Sequence, residues 1–394
     1  MKKYEDILSN IEFKTEHLLY LLPIVLILGD WLVAAGLITF IFLFLLKDLV
    51  LLQRSKFFFP NKLNWFLLLT WGLYIVTKSE FGTGVYYFVG IIVVPLILFV
   101  LILNIQFKYD YIVRFFNLLF VSGIVLSFIS FYFLYMNDFN YTLRIGSLWE
   151  NINIVSAYFL ILFMFCLSFI IHKKKGQSIV FYIVVLVLLG IAIFLTQTRG
   201  VWLALLFSLI VYYIKRPKIY LMIILFFGLL FVAFQDVIIT RFLTIKNFGS
   251  DVSSLGRLQA WFASVVLIKD NIFTGYGFDS FMRLRDDVFY FYIVPVIHSH
   301  NTYLRSLLEM GLIGTVIYFT FLIKALFYTY KLKKKCTNEY IGLIDGLQLS
   351  FLSLFIVFMF EPYFSLFGCS TIVIWFLISL SYKLKYQFLE DDNS

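Results

Sequence analysis

The feature that most constrains this chain is the recurrence of long apolar runs without charge. Residues 84–103 read GVYYFVGIIVVPLILFVLIL, with no Asp, Glu, Lys or Arg among them. A helix crosses the hydrocarbon core of a bilayer in about 20 such residues. Comparable runs recur at approximately 13–29, 31–52, 63–78, 111–135, 152–171, 178–196, 200–214, 219–235, 301–330, 340–360 and 366–386. Lipid leaves backbone polar groups unsatisfied unless they bond within their own segment, so each run is expected to be a helix. Composition closes the alternatives: 62% of the residues are hydrophobic and only 14% charged, too apolar for a soluble fold or for disorder. The expected fold is an all-α polytopic membrane protein of about twelve transmembrane helices, a single integral membrane domain over 1–394. One sizeable external segment, 236–300, would cap the membrane cavity.

Charge placement orients the helices. The N-terminus, MKKYEDILSNIEFKTEH, is polar and lacks a cleavage site of small residues, so the first apolar segment is expected to stay as an anchor. With both termini cytoplasmic and the spans alternating, 22 of the 32 basic residues fall inside, as the positive-inside rule requires. Topology thus accounts for most of the net charge of +9, and no nucleic-acid partner is needed to explain it. The ten outside are Lys78, Arg144, Arg199, Arg241, Lys246, Arg257, Lys269, Arg283, Arg285 and Arg305. Seven of these are Arg, against three of the 22 inside, and a planar guanidinium fork suits phosphate or carboxylate. The competing account is loop ion pairs with Asp236, Asp251, Asp286 or Asp287.

Three strings carry the candidate chemistry. In LTQTRGVWLALL (195–206), Arg199 stands between two apolar spans with almost no loop, a costly position for an ionisable group. In the external segment, Ser253 or Ser254 could cap a helix over roughly 255–270. Leu258, Trp261, Phe262, Val265 and Val266 would form its apolar face, turned to the membrane interface or to the bundle, with Arg257 off that stripe. In HSHNTYLRSLLEMGLIG (298–314), His298 and His300 are the two outward histidines, and a neutral imidazole is the usual base near neutral pH. Asn301, Arg305 and Leu308 follow at helical spacing, and a helix N-terminus attracts anions. Glu309 is placed to pair with Arg305. Asp30 and Glu361 lie at outer ends of spans and could hold polar contacts. GYGFDS (275–280) reads as a turn, since GxG without a preceding strand is a weak nucleotide signal. No metal site and no cofactor are expected: Cys166, Cys336 and Cys369 are scattered, and no ligand spacing is legible.

In this order, LTQTRGVWLA, SSLGRLQAWFASVVLIKDNIFTGYGFDSF (253–281) and HSHNTYLRSLLEMGLIG resemble the O-antigen ligase and O-antigen polymerase superfamily of bacterial membrane glycosyltransferases. The last is similar to the ligase pattern of His, Asn, nine residues, Gly, two residues, Gly, here His300, Asn301, Gly311 and Gly314. The resemblance covers the C-terminal half; residues 1–150 add only hydropathy. It implies a GT-C-type enzyme of the bacterial inner membrane, with its site on the periplasmic face. Such an enzyme moves a glycan from undecaprenyl diphosphate to an acceptor hydroxyl, without metal and with inversion. It assigns Arg199 and Arg257 as essential arginines and His300 as the base; His298, Asn301, Arg305, Arg144 and Arg241 are candidate substrate-binding residues. Lipid A–core oligosaccharide is the acceptor of a ligase, a second lipid-linked repeat that of a polymerase, and the strings lie closer to ligases. A transporter of lipid-linked oligosaccharide is the reading from another class. Ionisable groups gathered near one face, rather than at the midplane of matching halves, argue against it.

Overall fold

In the computed structural model the described residues are 19–29, 58–105, 109–140, 143–149, 151–173, 178–214, 252–289, 296–336, 339–363 and 368–389, with scattered positions between 216 and 239. Their regular elements are all helical: α1 (Leu22–Ile27), α2 (Lys62–Lys78), α3 (Phe81–Asn104), α4 (Tyr109–Met136), α5 (Ile152–Ile171), α6 (Ile179–Leu195), α7 (Arg199–Tyr213), α8 (Val252–Asp270), α9 (Ser280–Leu284), α10 (Thr302–Lys335), α11 (Ile341–Val357) and α12 (Cys369–Leu389). Helices α3, α4, α5 and α10 are long and apolar enough to cross a membrane; α6, α7 and α11 are shorter apolar helices. The expected spans from 63–78 to 200–214 and from 301–330 to 366–386 each coincide with one of these helices. The span at 31–52 and most of that at 219–235 lie outside the described residues, as does Asp30.

Helix α5 is the centre of the bundle. It is apolar all round, and Val155 to Phe169 are buried without a break, as expected of a helix with neighbours on every side. It packs against α6, α7, α11 and α12. Between membrane helices lipid removes the usual hydrophobic drive, so association depends on close approach and polar contacts. Both are present where α5, α7 and α10 end and α11 begins, away from the site described below. There Asp345, fully buried on α11, accepts from His172 Nε2 (2.8 Å), Lys333 Nζ (2.7 Å) and the Tyr212 hydroxyl (2.7 Å).

Helix α10 breaks at Gly311, which sits at φ 67°, ψ 179°. The groups freed by the break are satisfied from outside the helix. Tyr276 and Gly277 donate their backbone N–H to the carbonyls of Leu308 (2.8 Å) and Glu309 (3.0 Å), and Leu312 N–H reaches the Ile272 carbonyl (2.7 Å). Trp71 Nε1 donates to the Met310 carbonyl (2.9 Å). The GYGFDS segment is therefore a turn, as expected, and its role is to dock onto the broken helix. A Cβ at Gly311 would come within 2.3 Å of the Phe273 carbonyl oxygen. Gly311→Ala is expected to cost about 1–3 kcal/mol from the backbone conformation alone, read as a lower melting temperature in detergent. A native melting temperature for that variant would contradict this account of the break.

Helix α8 corrects one expectation and decides between the two alternatives left open by another. It starts at Val252, so Ser254 lies inside it rather than capping it. Its bundle-facing stripe is Ala260, Ala263, Ser264 and Leu267, packed with Phe281, Val296 and Leu308. Leu258, Phe262 and Val265 of the expected apolar face point outward and are exposed. Small residues win the inner face because they let α8 approach α10 closely.

Candidate active site

Three helices begin at the same end of the bundle, and each start is set by local chemistry. Asn151 caps α5, its side chain accepting from the N–H of Asn153 and Ile154. Asn301 caps α10 in the same way, accepting from Tyr303 and Leu304. The turn between α6 and α7 is only Thr196, Gln197 and Thr198, with Gln197 in the left-handed region at φ 48° and its amide donating to the Leu143 carbonyl. Gly200, in the first turn of α7, packs against the Phe360 ring; a Cβ there would come within 2.6 Å of it.

The starts of α5 and α7 open onto one cleft of about 590 Å³, solvent at its mouth included. The basic side chains lining it are Arg144, Arg199 and Arg257; its one acid is Glu361, joined by Asn153, Thr198 and Tyr363. Each guanidinium is braced. Arg144 donates to the Thr196 carbonyl (3.1 Å) and the Asn153 side-chain oxygen (2.7 Å). Arg199 donates to the Ser254 hydroxyl on α8 (3.1 Å). Arg257, on the next turn of α8, lies 3.5 Å from Glu361 Oε1. The cleft thus combines three fixed cationic forks with the N-terminal ends of α5 and α7, an arrangement that attracts a polyanion.

Glu361 is the hub and only 2% exposed. Its carboxylate accepts from the Asn153 amide, lies 3.3 Å from His300 Nδ1, and pairs with Arg257. Its own carbonyl accepts from the Thr302 hydroxyl (2.6 Å), and the Tyr363 hydroxyl donates to the Asn153 carbonyl (3.1 Å). Burial works against the charge on Glu361. The hydrogen bond from His300 and the charge of the Arg257 guanidinium outweigh it and hold the carboxyl below the usual range.

His300 stands behind this carboxylate rather than on the cleft wall. Its backbone is left-handed at φ 46°, a conformation a histidine adopts only under constraint. The constraints are visible: its N–H donates to His298 Nδ1 (3.2 Å), its carbonyl accepts from Trp261 Nε1 (3.4 Å), and the two imidazoles lie 4.1 Å apart. His298 is pushed down to about 3, first by burial and then by its neighbours, the guanidiniums of Arg305 and Arg257 among them, so it stays neutral and accepts. His298, His300 and Glu361 have ligand atoms within 4.8 Å of one another, a grouping able to hold a metal ion that the sequence spacing does not reveal. The Arg257 guanidinium already occupies one side of that carboxylate.

The remaining candidates are placed elsewhere. The Asn301 side chain caps α10 and donates to the Met359 carbonyl (3.2 Å), outside the cleft lining. Arg305 is buried, bonded to Glu309 (2.7 Å), paired with Asp279 (3.5 Å) and packed over the Tyr87 ring. It borders a separate, smaller cavity with Ile91, Phe278 and Thr302. Arg241 lies outside the described residues. Arg283 donates to the Tyr276 carbonyl and Arg285 pairs with Asp286, so ion pairs and loop bonds account for part of the outward Arg excess. Asn153 and Tyr363 were missed by sequence reasoning, and Glu361 was noticed only as a polar residue at the end of a span. Asn153 lies in the first turn of a capped helix, where an Asn is unremarkable.

Residues 184–319 match a family model described as O-antigen ligase. No curated protein matches the chain. The matched segment contains Arg199, Arg257, His298 and His300, while Arg144, Asn153 and Glu361 reach the cleft from outside it.

Proposed function

We propose, from the match of residues 184–319 to a family model described as O-antigen ligase, that the chain is a membrane glycosyltransferase of that superfamily. Its donor would be a glycan on undecaprenyl diphosphate, and its acceptor the hydroxyl of a lipid A–core oligosaccharide. The observation that carries this reading is the convergence of Arg144, Arg199 and Arg257 on one cleft, with His300 joined to it through Glu361. A sugar on a diphosphate already has a good leaving group. The reaction needs fixed positive charge where the pyrophosphate departs, a base for the acceptor hydroxyl, and room for a lipid tail between helices. The arginines supply the first as braced donors, and His300 the second. As the acceptor oxygen bonds to the anomeric carbon from the face opposite the diphosphate, the bond to the phosphate oxygen breaks and its electron pair leaves with the phosphate. The acceptor proton passes to His300, and the configuration inverts.

Sidedness follows the same reasoning. Helix α10 runs from the arginine-lined end at Asn301 to Lys331, Lys333, Lys334 and Lys335. The positive-inside rule favours a cytoplasmic lysine end, which supports a cleft on the periplasmic face of the inner membrane.

The test is a reconstituted reaction. Lipid-linked glycan is offered with lipid A–core and, separately, with a second lipid-linked repeat, each in excess chelator. Transfer to lipid A–core that survives chelation is the expected result, since guanidinium groups carry the charge. Product only on the second repeat would make the protein a polymerase, and no product with either acceptor would remove the glycosyltransferase reading.

A further inference from the structure

The glycosyltransferase reading gives His300 a task but leaves open which of its nitrogens performs it and what holds the ring. We propose that Glu361 is the positioning carboxylate of this base: it takes the Nδ1 proton of His300, leaves Nε2 as the proton acceptor, and ties the base to the arginine cleft. The inference rests on the function proposed above and adds a residue that the family match does not contain.

The argument starts from what the carboxylate can do. An ionised carboxylate only accepts hydrogen bonds. Glu361 is kept ionised by the guanidinium of Arg257 at 3.5 Å and by the donated amide of Asn153. His300 Nδ1 lies 3.3 Å from both of its oxygens, so in the neutral imidazole the proton sits on Nδ1 and the lone pair on Nε2. Among the described residues Nε2 has no hydrogen-bond partner. When the acceptor hydroxyl gives its proton to Nε2, the imidazolium forms beside a carboxylate that remains ionised, and no second proton moves. In this role Glu361 acts through His300.

Glu361 also fixes distance. Asn153 donates to it from one side and accepts from Arg144 on the other, and Arg257 pairs with it directly. One carboxylate thereby sets the base against two of the three arginines. Its turn is pinned to the start of α10, where the Thr302 hydroxyl donates to the Glu361 carbonyl and accepts from the Tyr363 N–H (3.1 Å). The His300 ring and the Glu361 carboxylate therefore move as one body.

The experiment uses the full-length protein in detergent or nanodiscs with the lipid-linked donor. Glu361→Gln, Glu361→Asp and His300→Gly are compared for kcat, donor KM and the pH dependence of kcat, with folding followed by melting temperature. Glu361→Gln is expected to lower kcat by about 10–10²-fold or more, that range being the one for carboxylates that orient a metal-bound imidazole, with donor KM much less affected. Glu361→Asp should recover part of the rate. The charged or titratable groups around His300 are Glu361, Arg257, His298 and, behind His298, Arg305. With the anion gone and the cations left, the acidic limb of the pH profile should move to lower pH, a change that a purely structural role would not produce.

Native kcat and pH profile in Glu361→Gln, with His300→Gly inactive, would overturn this inference and leave the base reading standing. Native activity in His300→Gly would remove the base reading itself. Loss of wild-type activity on chelation, restored by Zn²⁺, would mean that His298, His300 and Glu361 hold a metal instead and would also overturn the proposal.

Discussion

Replacing Arg199 with alanine is expected to lower glycan transfer by about 10²–10³-fold, the usual range for removing one fixed donor from a developing anion. The position makes the effect large. Arg199 opens α7, where the first backbone N–H groups of the helix also face an anion, and the Ser254 hydroxyl on α8 braces its guanidinium at 3.1 Å. Little reorganisation is left for the reaction to drive. Since the diphosphate is anionic in both ground and transition states, donor KM should rise while kcat falls. Arg199→Lys should recover only part of the loss, because an ammonium cannot bind two oxygens in parallel. Membrane insertion should be unaffected, as α7 keeps its apolar length. Native transfer by Arg199→Ala would refute the clamp.

The second large effect belongs to His300, where removal of the imidazole is expected to cost about 10²–10⁴-fold in kcat. The variant has to respect the backbone. At φ 46° alanine would add strain to the loss of the base, so His300→Gly, which adopts this conformation without cost, separates the two. It should keep the native melting temperature, lose transfer, and regain part of it when free imidazole is added. Donor KM should change little, since His300 is not on the cleft wall. Native kcat in His300→Gly would refute the role.

Much of this protein is legible in one sequence, for identifiable reasons. Apolar runs mark helices because lipid allows the backbone no other partners; the helices at 152–171 and 179–195 begin and end within a residue of their expected bounds. Arg199 is conspicuous because a charge at that depth needs a reason. Gly311 is marked by its string, although only the structure gives its task, the break in α10. Elsewhere such marks mislead. Arg305 stands out in its string more than Arg144 or Arg283, yet Arg144 reaches the cleft while Arg283 and Arg305 are taken up by Tyr276, Glu309 and Asp279.

The amphipathic helix shows the same limit. Periodicity singles out Leu258, Phe262 and Val265, but the face against the bundle is Ala260, Ala263 and Leu267. In water the large apolar side chains would have to be the buried ones. Beside a membrane no such penalty decides, and close approach selects the small residues.

What the sequence determined by itself is therefore the membrane class, most of the helices and the set of arginines and histidines available for chemistry, because hydropathy and charge act residue by residue. Which of those groups share a cleft, and that Glu361 joins them, was decided only by tertiary structure. Glu361 meets Asn153 across 208 positions of chain and His300 across 61. Contacts over such distances depend on how helices pack, and nothing local in the sequence encodes that packing.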